Sequence, residues 1–189
     1  QYQPITEEHY TVLNNTPIVL NSDLVEYITT PNNQLTSITL GASLSFLDNE
    51  EINTSKYSFE GIKVCGEKPK SELVKTAFMY LNAPYLWGGK SPFGIDCSGF
   101  TQQIMAKFGY SISRTSSSQS GDGRAVSTSN LRAGDLVFYG DGGSIDHVAL
   151  YIGGGQVVHA SNSVPYPLGG IKISNVNYRT PICARRIIG

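Results

Sequence analysis

Three consecutive glycines, Gly153-Gly154-Gly155, stand between two β-branched runs, His147-Val148-Ala149-Leu150-Tyr151-Ile152 and Gln156-Val157-Val158-His159-Ala160. Glycine reaches the positive-φ conformations of tight turns at no steric cost, so this pattern predicts an antiparallel hairpin. It also puts two histidines on consecutive strands, where a tight hairpin makes them neighbours. Further strand-like runs flank the hairpin: Asp135-Leu136-Val137-Phe138-Tyr139, Ile171-Lys172-Ile173 and residues 184–188.

Upstream the periodicity is helical. Leu73, Val74, Ala77, Phe78 and Leu81 recur at helix spacing after Ser71, a candidate N-cap, and before Pro84. A second helix is expected from Cys97, with Phe100, Ile104 and Phe108 on one face and Gly109 at its end. Helices followed by an antiparallel run read as α+β.

Residues 2–64 look different again. Short β-branched stretches, such as Thr11-Val12-Leu13, Ile18-Val19-Leu20, Leu24 to Ile28, Ile38-Thr39-Leu40, Leu44 to Leu47 and Tyr57-Ser58-Phe59, are cut by Asn, Pro, Asp and Gly. That spacing predicts a small all-β unit. The stretch Gly66-Glu67-Lys68-Pro69-Lys70 reads as a linker. The expected organisation is a β-rich domain over residues 1–66 and a second domain over 67–189, within the ordinary size range for domains.

Charge narrows the function classes. The net charge is −1 and only 15% of residues are charged, with no Lys/Arg cluster, so nothing marks a nucleic-acid partner. No apolar run is long enough to span a membrane, and the N-terminus lacks a signal-peptide layout, so either export is absent or the leader was removed before residue 1. The three cysteines, Cys65, Cys97 and Cys183, include no C-x-x-C pair, and no metal-ligand spacing is present. No metal or other cofactor is expected. If Cys97 is a free thiol, Cys65 and Cys183 either pair or stay as two buried thiols.

The chemistry concentrates on Cys97. A thiol at a helix N-terminus near an imidazole has its pKa lowered, and Asp96-Cys97-Ser98-Gly99-Phe100 surrounds it with a carboxylate, a hydroxyl and a residue small enough to admit a substrate backbone. His147 is the candidate base, and His159 the polar group that orients it.

Taken together these motifs resemble the NlpC-type cell-wall cysteine peptidases. The matching residues are Pro84-Tyr85-x-Trp87-Gly88-Gly89, Asp96 to Phe100, Arg114-Thr115-Ser116 with Gln119, Ala133 to Tyr139, His147 to Gly153, and His159-Ala160, over residues 73–186. The resemblance implies a papain-like core, with a helical half packed on an antiparallel sheet. It also implies hydrolysis, through an acyl-enzyme on Cys97, of the γ-D-glutamyl to L-diamino acid bond of peptidoglycan stem peptides (L-Ala-γ-D-Glu-diamino acid). His147 and His159 complete a Cys-His-His triad by the same resemblance. Asp96 and Ser98 match positions that recognise the stem peptide, Asp96 through its amine, and Trp87 and Ser116 match groove-lining positions. Tyr85 matches a tyrosine whose hydroxyl supports the oxyanion.

The family's setting implies a secreted, periplasmic or wall-associated protein, with cytoplasmic peptide recycling as the other possibility. In many members an SH3-like domain precedes the catalytic one. Residues 1–66 share with it only their short strands, and a spacer is the alternative. If they wall the groove, Glu26-Tyr27 or Glu50-Glu51 is placed to hold the free amine of L-Ala and to restrict cleavage to released peptides. Two competing functions remain: an N-acetylmuramoyl-L-alanine amidase, and a wall-binding module with a retired site.

Overall fold

A computed structural model of the chain describes residues 6–47, 53, 56–65, 70–164 and 169–189. The expected linker lies largely outside these residues, as does the Glu50-Glu51 pair. The chain divides into two compact units, Gln1–Glu67 and Lys68–Gly189.

The first unit is not all-β. It opens with helix α1 (Glu7–Asn15), which contains the expected strand Thr11-Val12-Leu13. The reason is local: the Thr6 side chain caps the helix by accepting from the His9 amide at 3.2 Å, and Glu7 and Glu8 in the first turn complement the helix dipole. Two small sheets follow. Strand β1 (Val19–Asn21) pairs with β5 (Lys63–Cys65), and β2 (Val25–Thr29) lies between β3 (Leu35–Thr39) and β4 (Ser58–Phe59). Leu44 to Leu47, expected as a strand, forms turns around the buried Leu44 instead.

The second unit begins with a 3-10 turn (Lys70–Glu72) and helix α2 (Leu73–Phe78). Ser71 therefore lies inside the 3-10 turn, and Glu72 occupies the cap position without capping the helix through its side chain. The helix is shorter than its periodicity predicts. After Phe78 the backbone tightens to i→i+3 bonds, and the Asn82 amide donates to the Ile171 carbonyl at 3.0 Å, which ties the chain to the sheet. A short hairpin, β6 (Lys90–Ser91) and β7 (Gly94–Ile95), leads into α3 (Cys97–Lys107). Helix α3 buries Phe100, Ile104 and Met105 and ends as expected, at the positive-φ Gly109. A further helical turn, α4 (Ser116–Gln119), lies in the Ser-rich stretch and is capped by Thr115.

Strands β8 (Arg124–Val126), β9 (Leu136–Asp141), β10 (Ser144–Gly153), β11 (Gln156–Ser161), β12 (Gly170–Asn175) and β13 (Pro181–Arg186) form one antiparallel sheet in the order β12-β11-β10-β9-β13-β8. The three-glycine turn joins β10 to β11, and all three glycines have positive φ. Leu136 through Tyr139 on β9 and Val148 through Leu150 on β10 are fully buried, so the centre of the sheet is covered on both faces. Helix α3 packs against β10 and β11. The buried Asp135 and Arg186 are joined by a forked ion pair, both bonds 2.6 Å, which fixes the start of β9 to the end of β13.

Helix α3 enters through a gap with no spare room. A methyl group on Gly99 would meet the Gly89 carbonyl oxygen and come within 3.0 Å of Asp96 Oδ1. Alanine favours a helix over glycine by about 1 kcal/mol, yet Gly99→Ala is expected to destabilise the protein by about 1–3 kcal/mol, as overpacking does. Urea unfolding reads the sign, and a variant more stable than the wild type would contradict this packing.

Candidate active site

Asp96 is the N-cap of α3. Its Oδ1 accepts from the Gly99 amide at 2.6 Å and the Ser98 hydroxyl at 3.2 Å, and its Oδ2 accepts from the Gly88 amide at 2.8 Å. Arg114 forks onto both oxygens, at 3.0 and 2.6 Å, and also donates to Ser98 Oγ at 2.9 Å. Burial opposes the charge on Asp96, but the Arg114 bond and the two amides outweigh it and hold the carboxyl below its ordinary range. One carboxylate thus joins the turn before α3, the first turn of α3 and the segment before α4. Buried Gln119 adds a second tie, donating to the Ser98 and Ser113 carbonyls at 3.0 and 2.8 Å and accepting from Thr101 Oγ1 at 2.7 Å.

This frame sets Cys97 at the first position of α3, buried, with the backbone amides of Val148 and Ser98 facing its sulfur. The sequence predicts a lowered thiol pKa, and the resting protein shows the opposite. Burial pushes the thiol up, the nearby Asp96 charge adds to that, and the surrounding amides only partly offset it. All three cysteines are free thiols: Cys65 is exposed on β5 and Cys183 half-buried on β13, so neither expected arrangement of that pair holds.

The histidines come together through strand register. Leu150 pairs with Val158 and Tyr151 with Val157. Carried two residues along, this register sets His159 across from Ala149 and diagonal to His147, on one face of the sheet. Their rings meet in a bond of 2.9 Å between His147 Nε2 and His159 Nδ1. Burial drives both towards the neutral form, to about 4 for His147 and, with His147 adding a smaller push, to about 3 for His159. Burial therefore favours the thiol and the neutral form of both imidazoles.

Tyr85 is half-buried and bridges in parallel to Ile95, beside the start of α3. Burial, with the Cys97 and Asp96 charges, pushes its hydroxyl up to about 12, so it stays a hydrogen-bond donor. Trp87 is 83% exposed and is no core residue. Ser116 opens α4, half-buried, and Ser98 is buried under Arg114. Arg114 carries more than its sequence position suggests. It lies in the matched motifs, but only the structure shows its fork on Asp96. Tyr178 and Ser174, which contact His159, have no sequence signal of their own.

Acid should weaken this arrangement. Between the ordinary histidine value of 6.5 and the folded values of about 4 and 3, the unfolded chain binds protons that buried His147 and His159 refuse. Their contribution to stability is complete above pH 6.5 and is lost as the pH falls through that window. His159→Gln, which keeps an acceptor for His147 but cannot titrate, is expected to flatten the decline. Denaturant midpoints measured from pH 7 to pH 4 test this, and an equal slope in both proteins would contradict it.

Comparison with known proteins places the chain. Residues 82–181 match the NlpC/P60 family model. Over 131 residues the chain is 38% identical to a gamma-D-glutamyl-L-lysine dipeptidyl-peptidase of Bacillus subtilis, covering 67% of this chain and 44% of that protein. It is 41% identical over 110 residues to Protein P54 of Enterococcus faecium, covering 58% of this chain and 20% of that one. The chain therefore spans less than half the length of these curated relatives. Among solved structures, an NlpC/P60 family protein from Bacillus cereus superposes with a TM-score of 0.80 at 26% identity, over 97% of this chain and 67% of that one. The peptidoglycan hydrolase RipB of Mycobacterium tuberculosis superposes at 0.56 and 33% identity, over 64% of this chain and 65% of that one. With more than half of its residues matched by the family model, and the paired histidines and helix-borne cysteine arranged as described, this chain is a member of the NlpC/P60 family.

Proposed function

We propose that the protein is a cysteine endopeptidase that cuts the γ-D-glutamyl to L-diamino acid bond of peptidoglycan stem peptides at the cell wall. The observation that carries this reading is the His147–His159 bond on the face of a sheet whose β10 strand presents its Val148 amide to the Cys97 sulfur. The Bacillus subtilis relative is named for action on a gamma-D-glutamyl-L-lysine bond, which supports the choice of bond.

In this mechanism His147 uses Nε2 to bond His159, which leaves Nδ1 to take the Cys97 proton as the sulfur attacks the γ-carbonyl carbon of D-Glu. Because burial keeps thiol and imidazole neutral at rest, the proton moves during attack rather than before it. The Cys97 backbone amide and the Tyr85 hydroxyl stabilise the oxyanion. The intermediate collapses with loss of the diamino acid amine, which takes the proton from His147, and water then releases the acyl group from Cys97. Trp87 and Ser116 line the approach for the stem peptide, while Ser98, buried under Arg114 with its hydroxyl engaged, supports that surface from beneath. Both oxygens of Asp96 are already engaged by Arg114 and two amides, so its contribution to a substrate amine is its charge at a distance rather than a new hydrogen bond.

The test is to incubate the protein and Cys97→Ala with L-Ala-γ-D-Glu-diaminopimelate and with intact sacculi, under reducing conditions, and to identify products by mass spectrometry. The expected product is L-Ala-D-Glu from the tripeptide, made by the wild type alone. A new free L-Ala amine on muropeptides would identify an amidase instead, and no Cys97-dependent product from either substrate would leave a wall-binding module.

A further inference from the structure

His147 does not project from a regular strand. In the β9–β10 ladder Ile145 pairs with Gly140 and His147 with Tyr139, so Asp146 between them is an extra residue with no partner in the ladder. On the other side of β9, Pro181 pairs with Tyr139 and Cys183 with Phe138, which leaves Ile182 extra on β13. The sheet is therefore bulged on both flanks of Tyr139. A bulge bends its strand and re-aims the neighbouring side chain, and the side chain next to Asp146 is the candidate base.

Arg179 spans the sheet at this level. Its Nη1 donates to Asp146 Oδ1 at 2.9 Å, and its Nη2 donates to Asp146 Oδ2 at 3.0 Å and to Asp141 Oδ2 at 3.3 Å. One guanidinium thus grips both the bulge of β10 and the end of β9. The chain that leads to it is anchored in turn. The Val176 amide donates to the Gly155 carbonyl at 2.8 Å, the Tyr139 hydroxyl donates to the Val176 carbonyl at 2.9 Å, and the ring of Tyr178 lies 5.0 Å from that of Tyr139. Arg179 is delivered to the bulge by contacts that its own side chain does not make.

The fork also answers a problem of charge. The Arg179 bond holds the Asp146 carboxyl below its ordinary range, so a negative charge stands one residue from His147 at neutral pH. Left alone, that charge would favour the imidazolium and take the base out of action. Burial is the chief influence keeping His147 neutral; Arg179 reinforces it, Asp146 opposes both, and Lys172 on β12 adds least. The other ionisable groups around the ring are Tyr139 on β9, His159 on β11, Tyr178, and Cys97 at the start of α3. Helix α4, which also packs against β10, carries none.

We propose that Arg179 is a positioning residue for His147: its fork on Asp146 holds the β10 bulge from which His147 projects and balances the carboxylate beside the base. This rests on the endopeptidase reading of the site. Arg179 acts through Asp146 and not on the substrate. The two roles separate by chemistry, since holding the bulge needs the planar fork and balancing the carboxylate needs only a positive charge.

NMR of histidine-labelled, substrate-free protein across pH follows the titration of His147 without turnover. Arg179→Gln is expected to raise its midpoint by roughly half a pH unit, the size that fits a partly exposed ion pair. Adding Asp146→Asn removes the uncompensated carboxylate and should bring the midpoint back to the wild-type value or below it. Asp146→Asn alone, which leaves Arg179 in place, should lower the midpoint. On the tripeptide the acid limb of kcat/KM should move in the same directions. Arg179→Lys, which keeps the charge but not the fork, should hold the wild-type limb while lowering kcat by roughly tenfold with KM little changed, within what a misplaced group remote from the chemistry costs. A structural role alone would lower stability or kcat in every variant and leave the midpoint where it is. An unmoved midpoint in Arg179→Gln, or an upward shift that survives Asp146→Asn, would overturn the proposal. Because the titration needs no substrate, the expected shifts without peptide cleavage would count against the endopeptidase reading and not against Arg179.

Discussion

The carboxylate of Asp96 is the point on which the site's geometry depends. It ends the 88–89 turn, caps α3 and receives the Arg114 fork, so three segments far apart in sequence share one pair of oxygens. A helix N-terminus leaves backbone donors without partners, and a buried one must find acceptors. Here the acceptor is the residue immediately before Cys97. The position of the Cys97 sulfur follows from the cap, and the cap stays ionised because Arg114 and two amides outweigh its burial.

The other half of the site depends on strand pairing rather than on any single bond. His147 and His159 are adjacent because the 153–155 turn fixes the β10–β11 register, and a slip of one residue would send the two rings to opposite faces. Burial then does two things at once. It limits the access of water to the sulfur and the imidazoles, and it favours the neutral form of each.

Much of this was legible in the sequence because it is local. Glycine runs, a helix opening at Cys97 and alternating β-branched stretches each carry their own signal, and the antiparallel sheet and the His147–His159 neighbourhood follow from them. The failures have equally local causes. Helix α1 forms across the β-branched residues at 11–13 because Thr6 caps it and Glu7-Glu8 complement its dipole, and α2 stops early because the backbone of Asn82 bonds to β12. What sequence could not supply was anything set by register across strands or by long side chains reaching over the fold. The saturation of Asp96 by Arg114 and the approach of Ser174 and Tyr178 to His159 are of that kind. The upward shift of the Cys97 thiol is another, since burial is a property of the packed state.

On the proposed reading, Cys97 carries the glutamyl group of the substrate through a covalent intermediate. Acid-quenching the protein within milliseconds of mixing with L-Ala-γ-D-Glu-diaminopimelate, followed by intact-mass and peptide-mapping mass spectrometry, tests it most directly. The account predicts a transient adduct with the mass of an L-Ala-D-Glu acyl group on the peptide that contains Cys97, absent from Cys97→Ala. Turnover of the tripeptide with no such adduct in the wild type, or with undiminished turnover in Cys97→Ala, would contradict it.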